Sequence, residues 1–398
     1  MHNSLEMFRD KRILIWGYGR EGQSTESFLK RHNICKEIKI YEGKKDDELF
    51  AEYDYIFKSP GIICFDDNPK FMSQTQVFMQ AFRDKTIGIT GTKGKSTTSA
   101  MLHKALTECS EKDAILLGNI GKPCLDYFDD VTENSVIVFE LSCHQLAQTK
   151  VSPHIAVLLN LFEEHLDYYE TVERYFAAKK NVTAFQGADD YVYLGEQVQN
   201  VQSLACKQVV IVDEEFDLKI LGKHNQINAN FVMRIACERF GCDKAKVKES
   251  IEEFSGLDHR LQNIGCVDGV DYYDDSISTI PNATIGAVES IKNVKTVLVG
   301  GMDRGIDYTA LIEFIPTRKD VLFVLMYESG KRIYAALSSK DNVVYVDDLY
   351  EAVHVAKEKT SIGAACVMSP AAPSYGYFKN FEERGEVFKK LVVGESAD

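Results

Sequence analysis

Residues 86–97 constrain this chain more than any other stretch. The apolar run Thr86–Thr90 passes into Gly91-Thr92-Lys93-Gly94-Lys95-Ser96-Thr97 and then into a helix-like segment, Ser96–Glu108. A buried strand that turns through glycines straight into a helix is one half of a β-α-β unit. It commits the chain around it to a parallel sheet. The turn also carries chemistry: N–H groups at the helix start attract β- and γ-phosphates, Lys95 neutralises them, and the Ser96 hydroxyl can reach Mg²⁺. The strict spacing G-x-x-x-x-G-K-[ST] fails, because Ile89 stands where its first glycine belongs. What stands is the shorter T-G-T-x-G-K-S-T. The bland alternative is a glycine-rich helix entry with a solvated lysine. It does not explain why strand, turn, lysine, hydroxyl and helix follow in this order.

The same alternation runs along the chain. Apolar runs at Ile13–Trp16, Ile38–Tyr41, Tyr55–Phe57, Val136–Phe139, Ile155–Asn160, Thr296–Val299, Val321–Leu325 and Ala365–Met368 read as strands. Amphipathic stretches such as Ser24–Arg31, Thr171–Ala184, Asn225–Phe240, Ala283–Ile291 and Leu349–Lys359 read as helices. The class is α/β. At 398 residues there is chain for two or three domains, and the strand-to-glycine starts place boundaries near residues 85 and 258. Sixty acidic against 46 basic side chains leave a net charge of −14, which argues against nucleic acid or an anionic membrane as partner. No 18-residue apolar run and no C-x-x-C pair occurs. The ten cysteines therefore read as reduced thiols in a cytoplasmic protein.

Two further regions bear on function. Lys11–Trp16 leads into Gly17-Tyr18-Gly19-Arg20-Glu21-Gly22, and Glu42 follows 20 residues after Gly22. This is the dinucleotide fingerprint, in which glycines admit a pyrophosphate and the acid accepts from a ribose hydroxyl. By itself it leaves NAD, a UDP-sugar or an empty turn open. In the second region, Glu140 ends a strong strand, where a carboxylate can hold Mg²⁺ or simply face water. His165 follows the next strand, and Lys179 lies on a helix, where by itself it is an ordinary surface lysine.

Together these motifs resemble the Mur ligase family. Thr90–Thr97, Leu117–Gly121, Glu140–Ser142, Asn160–Asp167, Ala177–Lys179, His224–Asn228 and Leu257–Arg260 follow in the family's order. Asp274–Ser276, Val299–Gly301 and the tail Met368–Gly385 are most similar to its glutamate-adding branch. The resemblance implies a three-domain architecture. Residues 1–85 would form a Rossmann-like domain for the UDP substrate, 86–258 a central P-loop ATPase domain, and 259–398 a C-terminal Rossmann-like α/β domain for the amino acid and ATP. It further implies a cytoplasmic monomer that joins glutamate to UDP-N-acetylmuramoyl-L-alanine through an acyl phosphate, with ATP and Mg²⁺.

The roles implied by the resemblance are specific. Gly91, Thr92, Lys93, Gly94, Lys95, Ser96, Thr97, Asn228, Arg260 and Asp275 would bind ATP. Gly17, Gly19, Arg20, Glu21, Gly22, Glu42, Ser59, Gly61, Asn119 and His165 would bind the UDP substrate. Lys95, Glu140, His165 and Lys179 would be catalytic; Ser96, Glu140, His165 and a carbamylated Lys179 would serve the metal. Thr279, Arg304, Ser374 and Phe381 would receive the amino acid. Two positions depart from the branch's pattern: Ile277 stands for a lysine in Asp275-Ser276-Ile277-Ser278-Thr279, and Arg304 for another after Gly301-Met302-Asp303. These leave room for L-glutamate or a different acceptor in the same chemistry. An NAD-dependent oxidoreductase or a non-catalytic UDP-sugar-binding protein would leave the loop at 90–97 without a use.

Overall fold

In the computed structural model, which describes residues 3–220, 222 and 224–394, three sheets are distributed over two units. One unit comprises the residues up to Asp217 together with His224–Glu253. The other runs from Phe254 onward and includes the short segment from Leu218.

The first unit holds two sheets. Glu37–Tyr41, Arg12–Trp16, Tyr55–Lys58 and the two-residue strand Phe71–Met72 lie side by side in that order, all parallel. The larger sheet has the order Cys206–Val210, Tyr191–Gly195, Ile155–Leu158, Thr86–Thr90, Ser135–Glu140, Asp113–Gly118, again all parallel. Its central strands are buried on both faces, which is why they read as unbroken apolar runs rather than alternating ones. The helix Gln74–Phe82 joins the two sheets into one core. The Phe78 ring lies 5.7 Å from Phe139, and Phe82 lies 4.8 Å from Phe128. Full burial of a phenylalanine such as Phe78 contributes roughly 1.5–3 kcal/mol, so this helix holds the turns of the small sheet at a fixed place against the large one.

The second unit has one sheet, ordered Gln262–Val267, Val270–Asp274, Ala365–Met368, Val294–Gly300, Leu322–Met326, Val343–Val346. The first pair is antiparallel and the rest parallel. The alternation of strand and helix in the sequence did not announce that antiparallel edge strand. Its half-exposed residues lack the apolar run that marks the others. No helix among the described residues is long and apolar enough to cross a membrane.

Candidate active site

The strand Thr86–Thr90 has Ser135–Glu140 on one side and Ile155–Leu158 on the other, so the winding of the sheet reverses across it. Ligands of open parallel sheets bind at such a switch point, beyond the carboxyl ends of the strands. Gly91–Gly94 occupies that place. Gly94 has φ 86° and caps the helix Lys95–Cys109, and a Cβ on it would meet Asn228 Oδ1 at 2.8 Å. Asn228, on the helix His224–Phe240, therefore lies over the turn. Asn160 fastens the turn from the other side. Its carbonyl accepts from Thr92 N–H at 3.0 Å and its Oδ1 from Lys93 N–H at 2.9 Å, while Phe162 N–H donates to Thr92 Oγ1 at 2.9 Å.

Two lysines meet above this turn. Lys95 Nζ donates to Gly91 O and Thr92 O, each at 3.0 Å. Lys179 Nζ, from the helix Val172–Ala184, donates to the same Gly91 O at 2.8 Å. Lys179 is 1% exposed, and burial pushes its pKa down to about 8, helped by the positive charge of Lys95. Burial also lowers Lys95, with Glu140 and Glu164 opposing. Burial strips both amines of water, so that charge on either of them acts strongly on a neighbouring group.

Glu140 faces this cluster from the end of its strand, paired in register with Ile89 and Gly118. It is fully buried; Oε1 accepts from Asn119 Nδ2 at 2.9 Å, and Oε2 has no partner among the described residues. Gly118 makes the approach possible. At φ 114°, a Cβ on it would lie 2.3 Å from Glu140 O. Among the described residues no three His, Cys, Asp or Glu side chains converge as a metal cluster. Mg²⁺ is, however, commonly held by one or two carboxylates with phosphate oxygens and water. A buried carboxylate oxygen without a partner, beside a phosphate-type turn that presents Ser96, fits that kind of site.

His165 has φ 58°, a left-handed conformation that costs a non-glycine residue about 1–2 kcal/mol and tends to persist at functional positions. Its ring lies 5.8 Å from Tyr175 and 5.2 Å from His144. Its Nε2 is 3.7 Å from Glu164, whose Oε1 accepts from Lys93 Nζ at 2.6 Å.

At the small sheet, Gly17 and Glu42 line a cavity of about 670 Å³ together with Trp16, Ile62 and Phe65. Gly17 has φ 90°, and a Cβ on Gly22 would lie 2.3 Å from Gly17 O, so the turn closes only with glycine at both places. Gly19 caps the helix Arg20–His32, and Gly61 lies across the turn that Ser59 ties to Gly17 O at 2.9 Å. A Cβ on either glycine would meet nothing within 4 Å, so space lies open above both. Arg20 reaches Gly121 O at 2.6 Å. Glu21 turns inward; Gln145 Nε2 donates to it at 2.9 Å, and burial raises its pKa. Lys58 was not singled out in the sequence, because nothing there distinguishes it from a surface lysine. It is buried, pushed down to about 8 by desolvation, and donates to Ile62 O at 2.7 Å.

In the second unit, Asp275 lies at the carboxyl end of Val270–Asp274. It accepts from Ser278 Oγ at 2.5 Å, Ser369 Oγ at 2.7 Å and Leu261 N–H at 3.1 Å, and burial raises its pKa to about 6. Ser276 Oγ donates to the carbonyl of Phe381 at 2.7 Å, which brings Phe381 beside the Asp275–Thr279 turn. Ser374 is buried, whereas Arg304 and Arg260 are exposed, and the Arg304 guanidinium lies 5.9 Å from the Tyr375 ring centre.

Comparison with known proteins adds to this geometry. The Mur ligase middle domain matches residues 89–210. The chain is 30% identical to the UDP-N-acetylmuramoylalanine–D-glutamate ligase of Streptococcus agalactiae, over 97% of each chain. It is 30% identical to the enzyme of that name from Aquifex aeolicus, over 96% of this chain and 98% of the relative. Among solved structures, the MurF ligase of Thermotoga maritima in complex with ADP superposes with a TM-score of 0.59 at 16% identity, covering 98% of this chain and 97% of that one. The UDP-N-acetylmuramate-alanine ligase of the same organism gives 0.58 at 19% identity, over 95% and 98%. These structures speak to the fold alone.

Proposed function

The chain belongs to the Mur ligase family, and from that premise we propose that it joins glutamate, D-glutamate foremost, to UDP-N-acetylmuramoyl-L-alanine in peptidoglycan precursor synthesis. It is an ATP-dependent ligase that forms an amide bond. The substrate's terminal carboxylate oxygen attacks the γ-phosphorus of ATP, the bond to ADP breaks, and an acyl phosphate results. The amine of the incoming amino acid attacks the acyl carbon, the tetrahedral intermediate expels inorganic phosphate, and the nitrogen gives up a proton.

The observation that carries this reading is the pair Lys95 and Lys179 on the Gly91 carbonyl, beside a buried Glu140 with one oxygen unpartnered. Phosphoryl transfer asks a protein mainly for positioning and charge, and here the Lys95 cation and a helix N-terminus converge on one turn, with Lys179 beside them. Gly91–Thr97 hold the triphosphate in this reading, and Asn228 the adenosine part. Ser96 and Glu140, with His165 nearby, would hold Mg²⁺, which when bound neutralises charge on the phosphates. Lys179 serves that site only as a carbamate, which replaces its positive charge with oxygen; its pKa near 8 makes the neutral amine accessible for that reaction. Gly17–Gly22, Glu42, Ser59 and Gly61 line the uridine end, and Asn119 with His165 the muramoyl-alanine end. Thr279, Arg304, Ser374 and Phe381 are assigned to the amino acid, and Arg260 and Asp275 to adenosine. The same reading divides the chain by role at residues 85 and 258.

Phosphate release measured with ATP and UDP-N-acetylmuramoyl-L-alanine, while the amino acid is varied, tests the reading. Lys95→Ala should abolish release, and Lys179→Ala should be rescued in part by short carboxylates. No release with any amino acid would end it. Ile277 and the exposed Arg304 favour one second reading, the same chemistry with L-glutamate as acceptor. Parallel assays with the two enantiomers separate the two.

A further inference from the structure

We infer that Tyr168 is a positioning residue that fixes the uridine-side turn Ser59–Ile62 to the segment carrying His165, so that the two ends of the substrate are held in one frame. The inference rests on the uridine assignment above and goes beyond it, because Tyr168 belongs to none of the motifs that suggested the site.

Its hydroxyl lies 2.9 Å from Pro60 O and 2.9 Å from Ile62 O. A phenol has one proton to donate, so the two carbonyls share it. Burial raises the Tyr168 pKa to about 12, and the group stays a donor throughout the working pH range. Lys58 Nζ reaches Ile62 O at 2.7 Å and Ser59 O at 3.3 Å from the small sheet. The carbonyls of Ser59, Pro60 and Ile62 are thus all held from behind, and open space remains above Gly61. A turn pinned by its carbonyls keeps its outer face in one shape for a ligand.

The other end of Tyr168 is equally tied. Its N–H donates to His165 O at 3.1 Å, and its ring stands edge-on to His144 at 4.4 Å and to Phe65 at 6.0 Å. Phe65 also lines the uridine-side cavity. From His165 the chain leads back through Glu164 to Lys93 and through Phe162 to Thr92, both in the phosphate turn. A ligand that settles the Ser59–Ile62 turn therefore settles the backbone from which His165 projects. A buried tyrosine hydroxyl ordinarily takes a hydrogen-bond partner. Here both partners belong to one turn, whose Ile62 lines the uridine-side cavity beside Phe65, and it is this place that ties the hydroxyl to the ligand.

The experiment is steady-state kinetics of Tyr168→Phe on the full-length enzyme, with equilibrium binding of UDP-N-acetylmuramoyl-L-alanine and a thermal melt as companion measurements. Phenylalanine keeps the ring contacts and removes only the O–H. The expected result is a KM for the uridine substrate raised roughly three- to tenfold, the cost of one hydrogen bond. KM for ATP should stay within about twofold and the melt close to wild type. Lys58→Met, which removes the second side-chain donor to the same turn, should act in the same direction. A KM for the uridine substrate unchanged within twofold in Tyr168→Phe overturns the inference while the uridine assignment stands. An equal rise in all KM values also overturns it, as a general loss of structure would. If wild type shows no saturable response to the uridine substrate, the assignment fails and the inference with it.

Discussion

Lys95 and Lys179, on two different helices, donate to a single backbone oxygen, that of Gly91, at 3.0 and 2.8 Å. Two like charges sharing one acceptor in a buried place raise the energy of the unmodified protein, and either an anion beside Lys95 or conversion of Lys179 to a carbamate lowers it again. The site is thus built for what it receives rather than for rest.

A stability prediction follows from that cost. The folded pKa of Lys179 lies near 8, below the 10.5 of a free lysine, with burial the main cause and Lys95 the next. Between those values the unfolded chain binds the extra proton, so stability should rise with pH across this window. Below about pH 8 the buried ammonium exerts its full cost. Lys179→Met should therefore melt higher than wild type at pH 7, by on the order of 1–2 kcal/mol, and the gap should close towards pH 10. Ligase activity should be lost at both. A variant that melts lower than wild type at pH 7 would show that the Gly91 hydrogen bond outweighs the charge.

Gly118 offers a test of how Glu140 is positioned. A methyl group there would stand 2.3 Å from Glu140 O, at a backbone φ of 114° that L-residues rarely adopt. Gly118→Ala should displace Asn119, which donates to both the carbonyl and the carboxylate of Glu140, and so release that carboxylate. The expected outcome is a rise of about tenfold or more in the Mg²⁺ concentration giving half-maximal rate. Loss of overall stability should stay near 2–3 kcal/mol. Magnesium titration of the rate reads the first, and denaturant unfolding the second. An unchanged magnesium dependence would remove Glu140 from the metal's surroundings.

Most of the strand framework was legible in the sequence, and the reasons are local. Thr86–Thr90, Ser135–Glu140 and Ala365–Met368 are short apolar runs buried on both faces, as the central strands of a parallel sheet are. The turns at Gly17 and Gly94 were legible because their left-handed φ angles select glycine. Tyr191–Gly195 and Cys206–Val210 were not singled out, since the latter is exposed over its first residues at the sheet edge. The inward turn of Glu21 and the burial of Arg384 depend on partners as far away as residues 145 and 276. A window of neighbouring residues cannot report such pairings. For the same reason nothing local in Asn160–Asp167 marks Asn160 as the residue that fastens the phosphate turn.

The acceptor site yields a prediction about charge. Arg304 is exposed beside the Tyr375 ring, and Ile277 brings no cation to the opposite turn. A planar guanidinium can take a carboxylate with two parallel hydrogen bonds, each charge-assisted. Arg304→Ala should raise KM for the amino acid by about 10–100-fold, corresponding to roughly 1.5–3 kcal/mol, with KM for ATP little changed. Arg304→Lys should recover only part of the loss. Initial rates over an amino-acid titration measure both, and an unaltered KM in the alanine variant would place the acceptor carboxylate elsewhere.

Arg384 supports that site from beneath. Its guanidinium is fully buried and donates to Ser276 O at 2.7 Å, Ser276 Oγ at 3.0 Å and Ala372 O at 3.1 Å. Desolvation lowers its pKa to about 10, which still leaves it charged at neutral pH. One side chain thereby joins the Asp275–Thr279 turn, the Ala371–Ser374 turn and the start of the helix Phe381–Val393, three of the four segments to which the amino acid is assigned. Arg384→Met has similar length but leaves the carbonyls of Ser276 and Ala372 without this donor, each costing about 1–3 kcal/mol when buried, while Ser276 Oγ keeps its bond to Phe381 O. Removing a buried charge offsets part of this. The net expectation is a loss of roughly 2–4 kcal/mol in denaturant unfolding, with a higher KM for the amino acid in the fraction that folds. Added guanidinium should lower that KM towards wild type, because a small cation can refill the space and restore the donors. If guanidinium leaves the KM untouched while the variant remains folded, the three segments keep their arrangement without Arg384, and its burial serves packing alone.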